Sequence, residues 1–252
     1  MMRRMKNFFG TLASLFNVEK EDCPLCKQAS VIQLKQLGLC KSCFDRIPWI
    51  LKVQCPICGR GEKCWDCQRR QLTYFTKNRS AVKYDNSMKG LLARYKYRGD
   101  ERLESVIGNM LVHAYHLVKI DEQKEASNSS RAQSIITFVP VSDRRMLERG
   151  FNQAEQMAFE LGRRVGLIVV PLLTRSKHTD KQSFKKRNER LEDLEHVFEL
   201  DLSYITHEGL VETSGIIYLV DDVYTTGSTM NQCASVLRDN FSAEVVGLTW
   251  AR

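Results

Sequence analysis

No stretch of the chain approaches the ~20 consecutive apolar residues that a membrane-crossing helix needs. The G-x-x-x-x-G-K-S/T loop of many nucleotide-binding proteins is also missing, so any phosphate seat must be built another way. No long internal repeat is visible, which sets aside solenoids and arrays. Acidic residues are in deficit, 30 Asp+Glu against 38 Lys+Arg, for a formal charge of +8. That excess, with a pI near 9.0, favours a polyanionic partner without identifying one. The remaining composition, 43% hydrophobic and 27% charged over 252 residues, suits one α/β domain with a small appended module.

Cysteine is the most unevenly distributed residue. Eight of the nine form four C-x-x-C pairs, all before residue 68, and only Cys233 follows. Pairs in this spacing point to metal in a reducing compartment rather than to a disulfide framework. Each tight knuckle offers two thiolates, and two knuckles complete a four-sulfur tetrahedron with no open position for water. Taken in chain order, Cys23 and Cys26 join Cys40 and Cys43, while Cys55 and Cys58 join Cys64 and Cys67. A crossed arrangement stays open, because the gap between Cys58 and Cys64 is short for a ribbon. Two structural zinc ions would replace a core that so short a module cannot supply. Trp49 and Trp65 are expected to pack between or upon the ribbons.

The segment 1–20 mixes Arg3, Arg4 and Lys6 with Phe8, Phe9 and Leu12–Phe16. Its apolar part is short and interrupted, so it is expected to be an N-terminal arm rather than a signal peptide. Residues 21–70 then form the double zinc-ribbon module, and 71–252 an α/β domain. Within that domain, 72–84 reads as one strand or a hairpin, 87–95 as a helix, and 103–118 as the apolar face of a long helix. His113 and His116 on that helix are expected to be surface or half-buried residues rather than ligands. Apolar runs at 135–141, 167–173, 197–200, 216–220 and 245–250 are strand candidates. The stretch 143–150 reads as a basic loop, and 174–190 as a second, lysine-rich one. Repeated βα units predict a doubly wound parallel sheet whose ligands sit beyond the carboxyl ends of the strands.

One such strand end carries chemistry. Ile216–Val220 is a buried-strand pattern that runs into Asp221 and Asp222, and then into Thr225-Thr226-Gly227-Ser228-Thr229. A helix follows with Met230, Cys233, Ala234 and Leu237 on one face. A hydroxyl-rich loop at a helix N-terminus presents free N–H groups to an anion, and Gly227 allows close approach. The adjacent carboxylates cannot hold phosphate, so they call for vicinal sugar hydroxyls, a metal ion, or both. A ribose 5-phosphate satisfies every part.

This stretch resembles the phosphoribosyl pyrophosphate (PRPP) signature of type I phosphoribosyltransferases. Combined with the thiol knuckles, Tyr97-Arg98-Gly99-Asp100 and Arg149-Gly150-Phe151-Asn152-Gln153, the chain resembles the ComF (ComFC) family of competence proteins. The resemblance implies a phosphoribosyltransferase-like domain behind a zinc module. It implies PRPP, with Mg²⁺, held by Asp221, Asp222, Thr225, Thr226, Gly227, Ser228 and Thr229, with Val141, Ser142 and Arg145 as the pyrophosphate loop. Asp221 and Asp222 would be the catalytic pair if transfer occurs. It also implies a role in DNA uptake during natural transformation, a ComFA-type ATP-driven helicase as partner, and a cytoplasmic site beside a membrane-bound uptake complex. Single-stranded DNA would then meet Lys96, Arg98, Lys185, Lys186 and Arg187, with Tyr95 and Tyr97 available for stacking. Gln182 and Arg190 fall where the family has a flexible catalytic segment, here unusually rich in lysine. An active nucleobase phosphoribosyltransferase of salvage is the competing expectation. The segment after Asn240 leaves little chain for a base-reading hood, so that task would fall to residues before Ser134.

Overall fold

The structure, a computed structural model, describes residues 20–62, 64–70, 72–97, 102–124, 134–175, 197–203 and 215–252. Two compact units are present, Met1–Ile47 and Pro48–Arg252. The described part of the smaller unit has β1 (Glu21–Asp22) paired antiparallel with β2 (Ala29–Ser30), then α1 (Lys41–Asp45). The turn between the strands closes through Lys27 N–H to the Cys23 carbonyl at 2.8 Å. Its buried interior is mostly sulfur: Cys23, Cys40 and Cys43 accompany Leu39 and Ile47.

The larger unit opens with the second pair of knuckles, which leads through α2 (Trp65–Arg69) to β3 (Lys77–Val82). Next come α3 (Asn86–Tyr97), α4 (Arg102–Lys124), β4 (Ile135–Phe138), α5 (Asp143–Arg149) and α6 (Gln153–Val165). Then β5 (Leu173–Arg175), β6 (Phe198–Leu200), β7 (Ile216–Val223), α7 (Ser228–Asn240) and β8 (Glu244–Ala251) complete it. The central sheet has the order β3-β8-β7-β4, and every neighbouring pair is parallel.

Why β7 reads as a continuous apolar run is visible in its surroundings. Ile217, Tyr218, Leu219 and Val220 are all fully buried, with Ile217 and Leu219 in one core with Met230, Cys233, Ala234 and Leu237 of α7. On the opposite face Tyr218 meets Tyr115 of α4 edge-on at 5.3 Å, and the neighbouring Trp250 donates to Met110 Sδ at 3.4 Å. A strand covered on both faces has no polar alternation to show. The four cysteines Cys55, Cys58, Cys64 and Cys67 belong to the α7-side core, together with Phe75 and Tyr224.

Four local readings change. Residues 143–149 form a helix rather than a loop: Ser142 Oγ accepts from Arg145 N–H, and Gly150 at φ +79° closes the far end. Helix α5 buries none of its residues, so caps alone define it. The strand expected over 167–173 is broken by Pro171, which has no N–H for a ladder. Val169 keeps a single bridge to Ile136, and β5 starts only at Leu173, where it pairs antiparallel with β6. Strand β7 continues through both aspartates to Val223, because β8 is equally long and pairs Thr249 with Asp221 and Ala251 with Val223. Trp49 meets His113 edge-on at 5.1 Å, as expected of a packing residue, but Trp65 is exposed.

Candidate functional site

Because strand residues alternate in direction, Asp221 and Asp222 leave β7 toward different neighbours. Asp222 forms an ion pair with Lys96 of α3, and its backbone N–H donates to Asp221 Oδ1 at 2.8 Å. Burial, and then the charge of Asp222, push the Asp221 carboxyl up to about 7; Lys96 and Arg145 act only in the opposing direction. The acid pair lies in a cavity of about 330 Å³ that also collects Val141, Arg145, Arg149, Gln153, Arg175, Thr225 and Thr229. Two carboxylates therefore face Lys96, Arg145, Arg149 and Arg175. Burial, followed by the nearby Arg145 charge, makes the Arg175 guanidinium less basic than usual. Cations crowded in this way call for an anion.

The motif 149–153 explains how the basic wall is held. Asn152 caps α6 by accepting from Ala154 N–H at 3.0 Å and donates to the Val139 carbonyl at 3.1 Å. Phe151 packs edge-on with Tyr95 at 5.5 Å, and Tyr95 Oη donates to Gln156 at 2.6 Å. Arg149 donates to Gln153 Oε1 at 2.6 Å and to Tyr97 Oη at 3.0 Å, while its Nε is buried without a hydrogen-bond partner among the described residues. A buried unpaired donor at a cavity wall is a place for a ligand acceptor.

The loop after β7 is pre-shaped. Gly227 has φ +79° and caps α7, and Thr226 Oγ1 and Ser228 Oγ share a hydrogen bond of 3.0 Å. Thr225 and Thr229 line the cavity; Thr226, Gly227 and Ser228, between them in the chain, do not. Of the expected phosphate and pyrophosphate contacts, Val141 and Arg145 reach the cavity, whereas the Ser142 hydroxyl is engaged as the α5 cap. Arg144 turns outward to Glu148 at 2.8 Å. Lys96, expected at a DNA surface, instead sits half-buried in this cavity. Arg98, Lys185, Lys186 and Arg187 lie outside the described residues, as do Gln182 and Arg190. Arg149, Gln153 and Tyr84 also line the cavity, and none of them was an expected site residue. The first two belong to the motif 149–153, so a local signal marks them; none marks Tyr84.

The thiols gather in chain order. In each of the sets Cys23, Cys26, Cys40, Cys43 and Cys55, Cys58, Cys64, Cys67, the sulfurs all lie within 4.8 Å of one another. A tetrahedron with ~2.3 Å metal–sulfur bonds has edges of about 3.8 Å. Cys26 and Cys40 sulfurs are 3.9 Å apart, and those of Cys58 and Cys64 are 3.5 Å apart. None of the nine cysteines forms a disulfide. Burial pushes Cys23, Cys43, Cys58 and Cys67 all upward; only for Cys23 do the N–H groups of Cys40, Cys26 and Leu25 outweigh it and leave the thiol at about 6. Cys64, opposed by burial yet helped by the Cys67 N–H and by Arg252, lies at about 7. Arg252 supplies a further test of fit. Its Nε and Nη1 are buried without hydrogen-bond partners among the described residues, and its Nη2 is 3.9 Å from Cys64 Sγ. Four thiolates around a divalent ion carry surplus negative charge, which would complement this buried cation. Both donor sets fit a structural zinc ion.

Together these features define a mixed α/β protein with a parallel sheet, an acidic strand end in a cation-lined cavity, and two four-thiol clusters. Comparison with known proteins places it further: the chain belongs to the ComFC family. It is 31% identical over 217 residues to the competence protein ComFC of Bacillus subtilis, covering 82% of this chain and 81% of that one. Identity to ComFC of Streptococcus pneumoniae is 28% over 239 residues, covering 93% and 90%. The DNA utilization protein YhgH of Escherichia coli K12 is 25% identical over 229 residues, covering 88% and 93%. No protein-family model matches the chain. Among the described residues, no helix is long and apolar enough to cross a membrane.

Proposed function

We propose that the protein binds PRPP with Mg²⁺ in this cavity and serves DNA uptake in natural transformation, as the names of its relatives suggest. The observation that carries the reading is the convergence of Asp221, Asp222, Thr225, Thr229 and Arg145 on one cavity. The 5-phosphate is assigned to Thr225–Thr229, the ribose diol to the acid pair, and the pyrophosphate to Arg145, Arg149 and Arg175. Mg²⁺ would supply charge neutralisation on the pyrophosphate. Lys96 forms an ion pair with Asp222 at this position. Mg²⁺ and PRPP at about 100 times Kd are expected to raise the melting temperature by several degrees, an effect of about 2.7 kcal/mol. Asp222→Ala should abolish that rise. Equal shifts in both proteins would end this reading.

Single-stranded DNA is assigned to Arg98, Lys185, Lys186 and Arg187, with a ComFA-type helicase as partner. Lys96 serves DNA only when released from Asp222. Replacing Lys185, Lys186 and Arg187 by Ala should lower the slope of log affinity against log salt by about 2 in a fluorescence titration, as expected for three lost phosphate contacts. An unchanged slope would remove those residues from the DNA path.

One observation favours a second reading, phosphoribosyl transfer to a nucleobase. A neighbouring cavity of about 390 Å³ shares Tyr84 and Thr225 with the first and offers space for an acceptor. Base-dependent pyrophosphate release that is lost in Asp222→Ala would establish transfer.

A further inference from the structure

The thiol cluster of Cys55, Cys58, Cys64 and Cys67 and the loop 225–229 are far apart in sequence, yet two arginines join them. Arg70 follows Cys67 by three residues. It donates Nη1 to Tyr224 Oη at 3.1 Å and Nη2 to the Thr226 carbonyl. Its guanidinium also lies 5.8 Å from the Phe75 ring, and Phe75 meets Tyr224 edge-on at 6.1 Å. Tyr224 in turn fills the cradle left by Gly227: a Cβ there would stand 2.2 Å from Tyr224 Oη and 2.9 Å from Arg70 Nη2. Arg252 lies over the Tyr224 ring at 4.5 Å from its centroid, and the same guanidinium approaches Cys64.

A third tie is independent of the arginines. Asn231, on the helix that the loop opens, accepts Tyr74 N–H at 2.8 Å and donates to the Leu72 carbonyl at 3.4 Å. The segment leaving the cluster is thus bonded to the first turns of α7. The other knuckle is bonded to the sheet: Asn78 N–H reaches the Ile57 carbonyl at 2.6 Å, and Arg79 Nη1 the Pro56 carbonyl at 2.9 Å. One knuckle is therefore fixed to β3 and the other to the loop.

We infer that metal at the second thiol cluster sets the conformation of the phosphate loop, with Arg70 as the positioning residue. The inference borrows its ligand from the proposed PRPP site, but its mechanism lies in this chain's own residues. Four thiolates need a cation to stay together in a buried cluster. Without one they separate, and the knuckle Cys64–Cys67 is no longer tied to Cys55–Cys58. Arg70 sits at the end of the short helix begun by that knuckle, so its planar fork moves with it. The Thr226 carbonyl and Tyr224 hydroxyl then lose a common donor, and the amides of the loop lose their aim. By linkage the effect is reciprocal: a ligand in the loop holds the metal more tightly.

The test compares the full-length protein with Arg70→Ala, which keeps all eight cluster thiols, and with Arg70→Lys, which cannot make both bonds. Zinc per chain, amide hydrogen exchange and zinc release to a chromogenic chelator are measured, the last with and without Mg²⁺ and PRPP. In Arg70→Ala, zinc content should hold while amides of 225–231 exchange roughly tenfold faster. PRPP affinity should fall roughly tenfold, as for the loss of one well-placed charged hydrogen bond. Arg70→Lys should be intermediate. PRPP should slow release of one of the two zinc ions in the parent and not in Arg70→Ala. Unchanged exchange at 225–231 in Arg70→Ala would overturn the coupling. If the parent fails to bind PRPP, the proposed ligand falls, and exchange at 225–231 in the parent before and after zinc removal by the chelator still decides the coupling: unchanged exchange would overturn it.

Discussion

Replacing Cys58 by Ser should cost the larger unit most of its stability and lower the zinc content from two ions per chain to one. Cys58 is fully buried, and its cluster shares a core with Phe75, Tyr224, Met230 and Leu237. In small metal modules the ion contributes apparent free energies on the order of 10 kcal/mol, which exceeds or equals the net stability of most domains. Serine offers a weaker ligand and leaves three thiols to be buried without their charge balanced. Arg252 then loses its counter-charge as well, beside two nitrogens that have no hydrogen-bond partner among the described residues. The expected result is a broad, early thermal transition by circular dichroism, or insoluble protein, with one zinc ion per chain. A cooperative transition within a degree or two of the parent would mean that the cluster is an ornament on a domain that stands without it.

Much of this arrangement was legible in the residues themselves. Strand β7 shows because its centre is buried on both faces, and the acid pair shows because charge at the end of such a run has no place in a core. The thiol clusters show because C-x-x-C spacing is itself the geometry of a knuckle. What stayed hidden has a physical reason in each case. Helix α5 buries nothing, so no periodicity betrays it; only Ser142 and Gly150 mark its ends. Lys96 reads as a surface cation, since nothing local says that α3 turns it toward Asp222. Arg70 and Tyr224 are 154 residues apart and meet only after the sheet has formed. Caps and knuckles are local chemistry, whereas a cavity wall assembled from distant elements has no local trace.

Asp221 leads to the other large effect, and its sign can be worked out. Its carboxyl lies near 7 in the folded protein, against an ordinary value of 3.8, because burial and the Asp222 charge oppose ionisation. Between those values the folded chain holds a proton that the unfolded chain has released. Stability therefore falls as pH rises from about 4 to about 7 and is level beyond. Asp221→Asn cannot ionise, and its side-chain oxygen can still accept the Asp222 N–H. The variant should match the parent near pH 4 and exceed it by about 1–3 kcal/mol at pH 8, a rise of several degrees in magnesium-free buffer. The same substitution should remove PRPP binding, because the neutral amide no longer serves as the charged half of the acid pair. On the proposed reading, the ligand supplies the charge balance that the carboxylates lack. Equal stability of parent and Asp221→Asn at pH 8 would mean that Lys96 and Arg145 already balance the pair. The tension at the end of β7 would then be absent.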